Sequence, residues 1–447
     1  MLRLFFGRLY CEDMKRLLII FFAIVFTRCI PIPPITKDKV KKVVDPFAHK
    51  KFVTHDFNYE PSLKSVMLYP LGNITTQSLE SPVIYLGQTA PLILEFDDLS
   101  TKRSSFSAKI IHCNQNWKIS SLNEIEFVND LNLFEFDAPR SSYNTRQKYF
   151  HYTFRIPPVK ASGNYLIKVF RKGHERDLVL IRRFMVYEKK WEVTAAAVAS
   201  GKNNPGQTIV CKVHYGGEVL ENPQGVKVLI RQNQRWDNAI LLTKFNARER
   251  ANKNLLYKTA LNAKAFRGGN EFRRFDMSSF QFIGQRIYSA ETLKSGNMVT
   301  LEVDQPRVSR DYVTRQDFNG GYIVQDERGG DAKFATDYAN VKFTLKCDEL
   351  DENVYVIGKF NNWKTSPANE MSYNLDTQQY EATLFLKQGI YDYMYGHKPD
   401  EGGTLFFQQI EGSHFKARNQ YEVFVYYRPK NARTDQLVGY ITFGSGG

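Results

Sequence analysis

The sequence predicts an all-β protein built of tandem immunoglobulin-like (E-set) β-sandwich domains, and three observations carry that prediction. Aromatic residues make up 14% of the chain, a bias toward side chains that fit the pleated, half-buried surface of a sheet. Short runs alternate apolar and polar residues with a period of two, whereas helical periodicity is scarce. Turn residues such as Asp97-Asp98, Pro157-Pro158 and Ser162-Gly163-Asn164 punctuate those runs at strand-length spacing. With 447 residues the chain exceeds one compact core, which implies roughly two to four domains.

The N-terminal stretch reads as a leader. From Met14 the sequence runs MKRLLIIFFAIVFTRCIPIPP, a basic start followed by an apolar run from Leu17 to Phe26. About ten apolar residues suit a secretory signal peptide and are too few for a spanning helix. Residues 1–29 are therefore expected to be an extension plus signal peptide, with the true start at Met14. Cys29 sits where a bacterial lipoprotein cysteine would, although Thr27-Arg28 are not the small residues such a site carries; its lipidation is the alternative to simple cleavage. Residues 30–52, rich in Pro, Lys and Val, read as a linker.

A first sandwich is expected over residues 53–190. Its strand candidates include 90–96, 107–113, 149–157, 164–170 and 178–187. In 149–157 Phe150, Tyr152, Phe154 and Ile156 share one face, with His151, Thr153 and Arg155 on the other. A second sandwich is expected over 191–338, with strands at 192–199, 208–215, 225–232 and 298–304. A third is expected over 339–447, beginning with ANVKFTL.

Composition narrows the chemistry. The net charge of +14 is uneven, with basic excess in 140–190 and acidic excess in 54–139. Opposed outward faces within one sandwich account for this better than a binding patch. An exported chain without a nucleic-acid motif is expected to have no nucleic-acid partner. Beyond the leader, cysteines stand only at 113, 211 and 347, too far apart for a disulfide framework and best read as buried free thiols. No HExxH, GxSxG, Walker loop or GxGxxG occurs in a strand-to-helix setting. His112-Cys113 reads as a buried strand end rather than half a zinc site. Asp97-Asp98 and DELDEN (348–353) read as turns. The expectation is a non-enzyme without cofactor or metal.

Two polar clusters are singled out. Gln232 to Trp236 form a polar strand end with an amphipathic anchor, and GGNEFRRFD (268–276) pairs glycines with forked guanidinium donors. Arg235, Trp236, Arg273 and Arg274 are the candidate contact residues, as an interdomain clamp in preference to a partner surface.

Two resemblances follow. The third segment, VYVIG (354–358), FNNW (360–363) and then Met371, Tyr380, Leu386, Gly389, Tyr391 and Tyr393, resembles the glycogen-binding type of carbohydrate-binding module over about 55 residues. On that resemblance Trp363 is a sugar-stacking ring, but the second stacking tryptophan is replaced by GHKPDEGGTLFF. Exported glycan binding around Trp363 is thus the alternative function, with Trp363 as a core residue the competing reading. Across the longer span, HCNQNW, SGNYLIKVF, RRFMVYE, NPQGVKVLIRQNQRWDNAI, GGNEFRRFD, DFNGGYIV, ATDYANVKFTL and LKQGIYDYMY resemble the plug-protein family of the type IX secretion system. That resemblance implies a non-enzymatic periplasmic protein that closes the periplasmic mouth of the outer-membrane translocon β-barrel, its partner, and so associates peripherally with the membrane.

Overall fold

The computed structural model of the chain describes residues 46–72, 74–88, 92–201, 205–217, 219–259, 265–399 and 403–445. The expected leader, Cys29 and all but the end of the expected 30–52 linker lie outside those residues.

The strands of the first sandwich run from Phe57 to Tyr187. One sheet orders the strands Phe57–Asn58, His174–Tyr187, Gly163–Arg171, Phe106–Cys113 and Phe134–Glu135, with Val83–Tyr85 added in parallel to His174–Tyr187. The facing sheet orders Leu63–Pro70, Leu92–Asp98, Phe150–Arg155 and Arg140–Ser141. Leu94, Phe96, Tyr152, Phe154, Tyr165 and Ile167 meet in the core between them. The alternation in Phe150–Arg155 delivers Tyr152 and Phe154 to that core as expected. Its other face is solvated only in part: Arg155 is exposed, but His151 is buried where the third sandwich covers the sheet.

The remaining strands do not follow chain order. The middle sandwich places Glu192–Ala199, Gly206–His214, Asn254–Lys258 and Ala247–Glu249 in one sheet. Its second sheet orders Ile240–Leu242, Val226–Gln232, Gln420–Tyr427 and Gln436–Gly444. Trp191, Ile209, Val228, Tyr257, Tyr421 and Val438 fill the space between. The third sandwich is one nine-stranded sheet running Arg273–Asp276, Gly389–Lys398, Asn353–Ile357, Glu370–Asn374, Gln379–Lys387, Tyr338–Lys346, Gly296–Leu301 and Ile287–Leu293, with Tyr322–Val324 paired to Gly389–Lys398. Strands far apart in that order share one core: Phe275 meets Phe343 with ring centroids 5.7 Å apart. The sheet therefore curls back on itself.

This corrects the expected boundaries at 338 and 339. Strands between Arg273 and Val324 pair into the third sandwich, and the last two strands return to the second. The third sandwich is inserted into the second. Local periodicity identifies a strand but carries no information about its partner, so a discontinuous sandwich is invisible to it. Lys50–Gly447 form one compact unit.

The three sandwiches are braced by unlike contacts. An apolar cluster of Trp117, Leu166, Ile181, Met185, Leu229, Phe424, Tyr426 and Leu437 joins the first and second. A polar network joins the first and third. His151 Nδ1 lies 2.7 Å from Asp97 Oδ1, Lys387 Nζ donates to Asp97 Oδ2 at 2.5 Å, and the Tyr338 hydroxyl donates to the same oxygen at 2.6 Å. Beside it Glu95 accepts from Lys333 and, at 2.6 Å, from the Tyr69 hydroxyl. Burial works to raise the Glu95 carboxyl, but His151 and Lys333 overcome it and hold the group at about 2.

Two outcomes follow from this architecture. A chain ending at residue 418 lacks half of the second sheet, so protease should cleave rapidly within residues 191–267 while the first sandwich resists. Intact persistence of 191–267 in that truncated chain would disprove the pairing. Glu95 is held below its ordinary carboxyl value, so its stabilisation is complete above pH 4.5 and drains away as pH falls toward about 2. Denaturant titrations across that window should show falling stability, and Glu95→Gln should flatten the slope. An unflattened slope would mean that other carboxylates govern it.

Candidate functional site

The two polar motifs and the tryptophan turn converge where the three sandwiches meet. After the strand Val226–Gln232, Asn233 and Gln234 take positive φ values of 53° and 58°. Asn tolerates this left-handed region better than most residues, and Asn233 is pinned there. Its amide donates to Asn419 Oδ1 at 2.8 Å and its carbonyl oxygen accepts from Gln420 N at 2.9 Å. The turn delivers two neighbouring side chains to different sandwiches.

Arg235 reaches the third. Its guanidinium lies 5.1 Å from the Trp363 ring centroid and 4.7 Å from that of Phe407, within cation–π range. Asp237 holds it, accepting from Nη2 at 2.5 Å. Trp236 instead meets Trp117 of the first sandwich edge to face, with centroids 5.1 Å apart at 90°. Arg183 and Arg231 stand 4.9 and 4.4 Å from its ring. Arg235 and Trp236 thus touch both other sandwiches, the geometry of an interdomain clamp.

A second left-handed pair, Asn362 at φ 54° and Trp363 at φ 60°, folds the FNNW turn inward. The Trp363 ring packs on Phe272 at a centroid distance of 5.7 Å. It also lies against Gly320, where an added Cβ would stand 2.1 Å from the indole. Only glycine allows that approach. Trp363 is 8% exposed, so the sugar-stacking expectation fails: a ring this buried, with Arg235 over it, offers no open platform to a glycan.

Arg273 and Arg274 lie deeper within the third sandwich. Arg273 donates to Glu411 at 3.0 Å, to Asp304 at 2.6 Å and to the Gln305 carbonyl at 2.8 Å. Tyr393 and Tyr395 give their hydroxyl protons to Asp304. Burial would raise Glu411, yet Arg273 and Arg307 hold its carboxyl at about 2. Arg274 donates to Asp392 at 2.8 Å and covers the Phe318 ring at 3.7 Å. These two arginines knit strands of one sandwich rather than meeting another.

The glycines of GGNEFRRFD serve close approach. A Cβ at Gly268 would meet the His414 carbonyl oxygen at 2.0 Å, and Gly269 has φ +69°. Sequence inspection found Arg235, Trp236 and Trp363 but missed Trp117, Arg183 and Lys359. These come from separate segments with no shared spacing. Cys113 and Cys211 are buried and Cys347 partly so, all three free. Among the described residues no group of three or more His, Cys, Asp or Glu side chains could hold a metal ion.

Removing the indole in Trp363→Ala should cost about 3–5 kcal/mol by the cavity left behind. Chemical unfolding measures this. A cost below about 1 kcal/mol, typical of an exposed position, would contradict the packing described.

The comparisons with known proteins agree with this architecture. Residues 63–188 match the model of the type 9 secretion system plug protein 1st domain. The crystal structure of a hypothetical protein from Parabacteroides merdae superposes with a TM-score of 0.81 at 26% identity, over 88% of this chain and 100% of that one. Two alpha-2-macroglobulins, from Escherichia coli and Salmonella, align at 12% and 10% identity with TM-scores of 0.16 and 0.15. Those alignments take in 86% of this chain in each case but 31% and 24% of the longer partners, and scores so low support no shared fold. No curated protein matches the chain. The strands of the first sandwich from Leu63 to Tyr187 fall within the matched span, so this part of the chain matches a type 9 secretion system plug protein domain.

Proposed function

We propose that the chain is a non-enzymatic accessory of type IX secretion, a periplasmic plug that closes the periplasmic end of the outer-membrane translocon barrel by its bulk. The observation that carries this reading is the family match over residues 63–188. The physical character of the molecule supports it. A plug must be wide, rigid and chemically inert, and three sandwiches braced on one another in a single unit meet that need.

The buried ion pairs favour rigidity over adaptability. Separating the sandwiches would strand Asp97 without Lys387 and expose the aromatic clamp around Trp236, so the unit moves as one body. A rigid body docks without an ordering cost, which leaves more of its contact energy for association. Displacement by cargo then needs only the loss of the docking contact, not unfolding.

Affinity purification of the tagged native protein should recover the translocon barrel, and deletion should make the outer membrane permeable to a large dye that wild-type cells exclude. Re-expression of the native chain should restore exclusion. Failure to recover the barrel together with unchanged permeability would refute the plug reading.

A further inference from the structure

Where the three sandwiches meet, a cavity of about 190 Å³ lies beside Trp236 and Trp363. That is several times the ~30 Å³ share of one liquid water. Cationic side chains from every sandwich line it: Arg182 and Arg183 from the first, Arg231 from the second, Lys359 and Lys364 from the third. Carboxylates are fewer. Asp56 and Asp237 line the cavity, Asp237 is paired with Arg235, and Glu422 behind it is paired with Arg231. Five lining cations and Arg235 thus stand against Asp56, Asp237 and Glu422, an excess of three positive charges.

The hydrogen bonds leave that excess standing. Arg182 donates to the Phe57 carbonyl at 3.3 Å and to Asn58 Oδ1 at 2.6 Å. Arg183 Nε donates to the Thr54 carbonyl at 2.8 Å, and Lys364 Nζ to the Asp56 carbonyl at 2.5 Å. Lys359 Nζ stands 3.4 Å from both the Ser78 and Leu79 carbonyls, well beyond the ~2.7–2.9 Å of a charge-assisted bond. Every one of these acceptors is neutral. Burial pushes the Lys359 ammonium down to about 8, with Glu422 opposing and Arg231 adding to the fall. Burial likewise lowers Lys364, and Arg183 to about 10. Lys359 is half-buried and Lys364 exposed; like charges gathered in such a cavity are screened less than separate surface charges, and burying a charge is costly unless it is paired.

We propose that this junction cavity is a binding site for a phosphate-class oxyanion, held by Lys359 and Lys364 within the field of Arg182, Arg183 and Arg231. A doubly charged tetrahedral oxyanion matches the excess better than a single carboxylate. Because its cations come from three sandwiches, the bound anion ties all three together. Free phosphate and the phosphate of a lipid headgroup share this chemistry.

The full chain is titrated with inorganic phosphate at constant ionic strength, with chloride as the control, following thermal unfolding and tryptophan fluorescence. Saturable one-to-one binding is expected, with Tm rising as the logarithm of phosphate above Kd. In Lys359→Met/Lys364→Met, affinity should fall at least about tenfold, as expected for the loss of charge-assisted bonds. The phosphate-free variant should melt no lower than the wild type, since repulsion is relieved; this separates lost binding from misfolding. Should the variant fail to fold, acylation mapping of the wild type decides, with phosphate expected to protect Lys359 and Lys364. Co-sedimentation with phosphatidylcholine vesicles, with and without phosphatidic acid, assigns the source: association that needs phosphatidic acid and Lys359 supports the site with a lipid-borne phosphate. Stabilisation that tracks ionic strength alone, wild-type affinity in the double variant, or absence of lysine protection would overturn the proposal.

Discussion

The antiparallel pairing of Val226–Gln232 with Gln420–Tyr427 is the contact on which the rest of the molecule depends. It joins segments from opposite sides of the inserted sandwich, and its register sets Arg231 opposite Glu422. The pair is bidentate, with bonds of 2.6 and 3.1 Å, and its side chains are 3% and 1% exposed. A slip of one residue would turn every core side chain to the wrong face and leave both charges unmatched. Removing one partner of such a buried pair typically costs about 3–5 kcal/mol, so the ion pair enforces the register that the apolar pattern already favours.

From that register the interfaces follow. The inner face of the sheet, with Val228, Ile230, Tyr421 and Val423, fills the middle sandwich. Its outer face, with Leu229, Phe424 and Tyr426, is the surface against which the first sandwich packs. One sheet serves two cores. Arg231 contributes again by lying 4.4 Å from the ring of Trp236, which carries the contact to Trp117. The opposite seam is polar, with Asp97 accepting from Lys387 and Tyr338. An apolar interface supplies area and tolerates small shifts, whereas a hydrogen-bonded charge network accepts only one placement. Together they hold the first sandwich in a single orientation.

Much of the strand content was legible in the sequence, because each strand is a local pattern. Phe150–Arg155 announced its core face through Tyr152 and Phe154. What could not be read was pairing. Nothing in GYITFG declares that it closes a sheet with strands some two hundred residues earlier. The site was half legible for the same reason. Arg235 and Trp236 drew notice because polar and aromatic groups cluster there in sequence, while Lys359, Lys364 and Arg183 are ordinary residues until the fold brings them together. Trp363 was recognised as special for a reason that proved secondary: the module-like turn survives, but its indole has been folded inward beneath Arg235 and against Gly320.

The nested arrangement of the last strands imposes an order of events on any process that releases the chain from its N-terminus. The first sandwich is complete once its final strand, His174–Tyr187, has emerged. The middle one must wait, with its apolar strands unpartnered, until Gln436–Gly444 appears. Contacts of such sequence separation form slowly, since the intervening loop must close first. During that interval Val226–Gln232 presents an open, apolar sheet edge of the kind that invites foreign pairing. The inserted sandwich, complete in itself before the last strands arrive, shortens the wait by turning a long floppy loop into a compact body with its two ends held near one another.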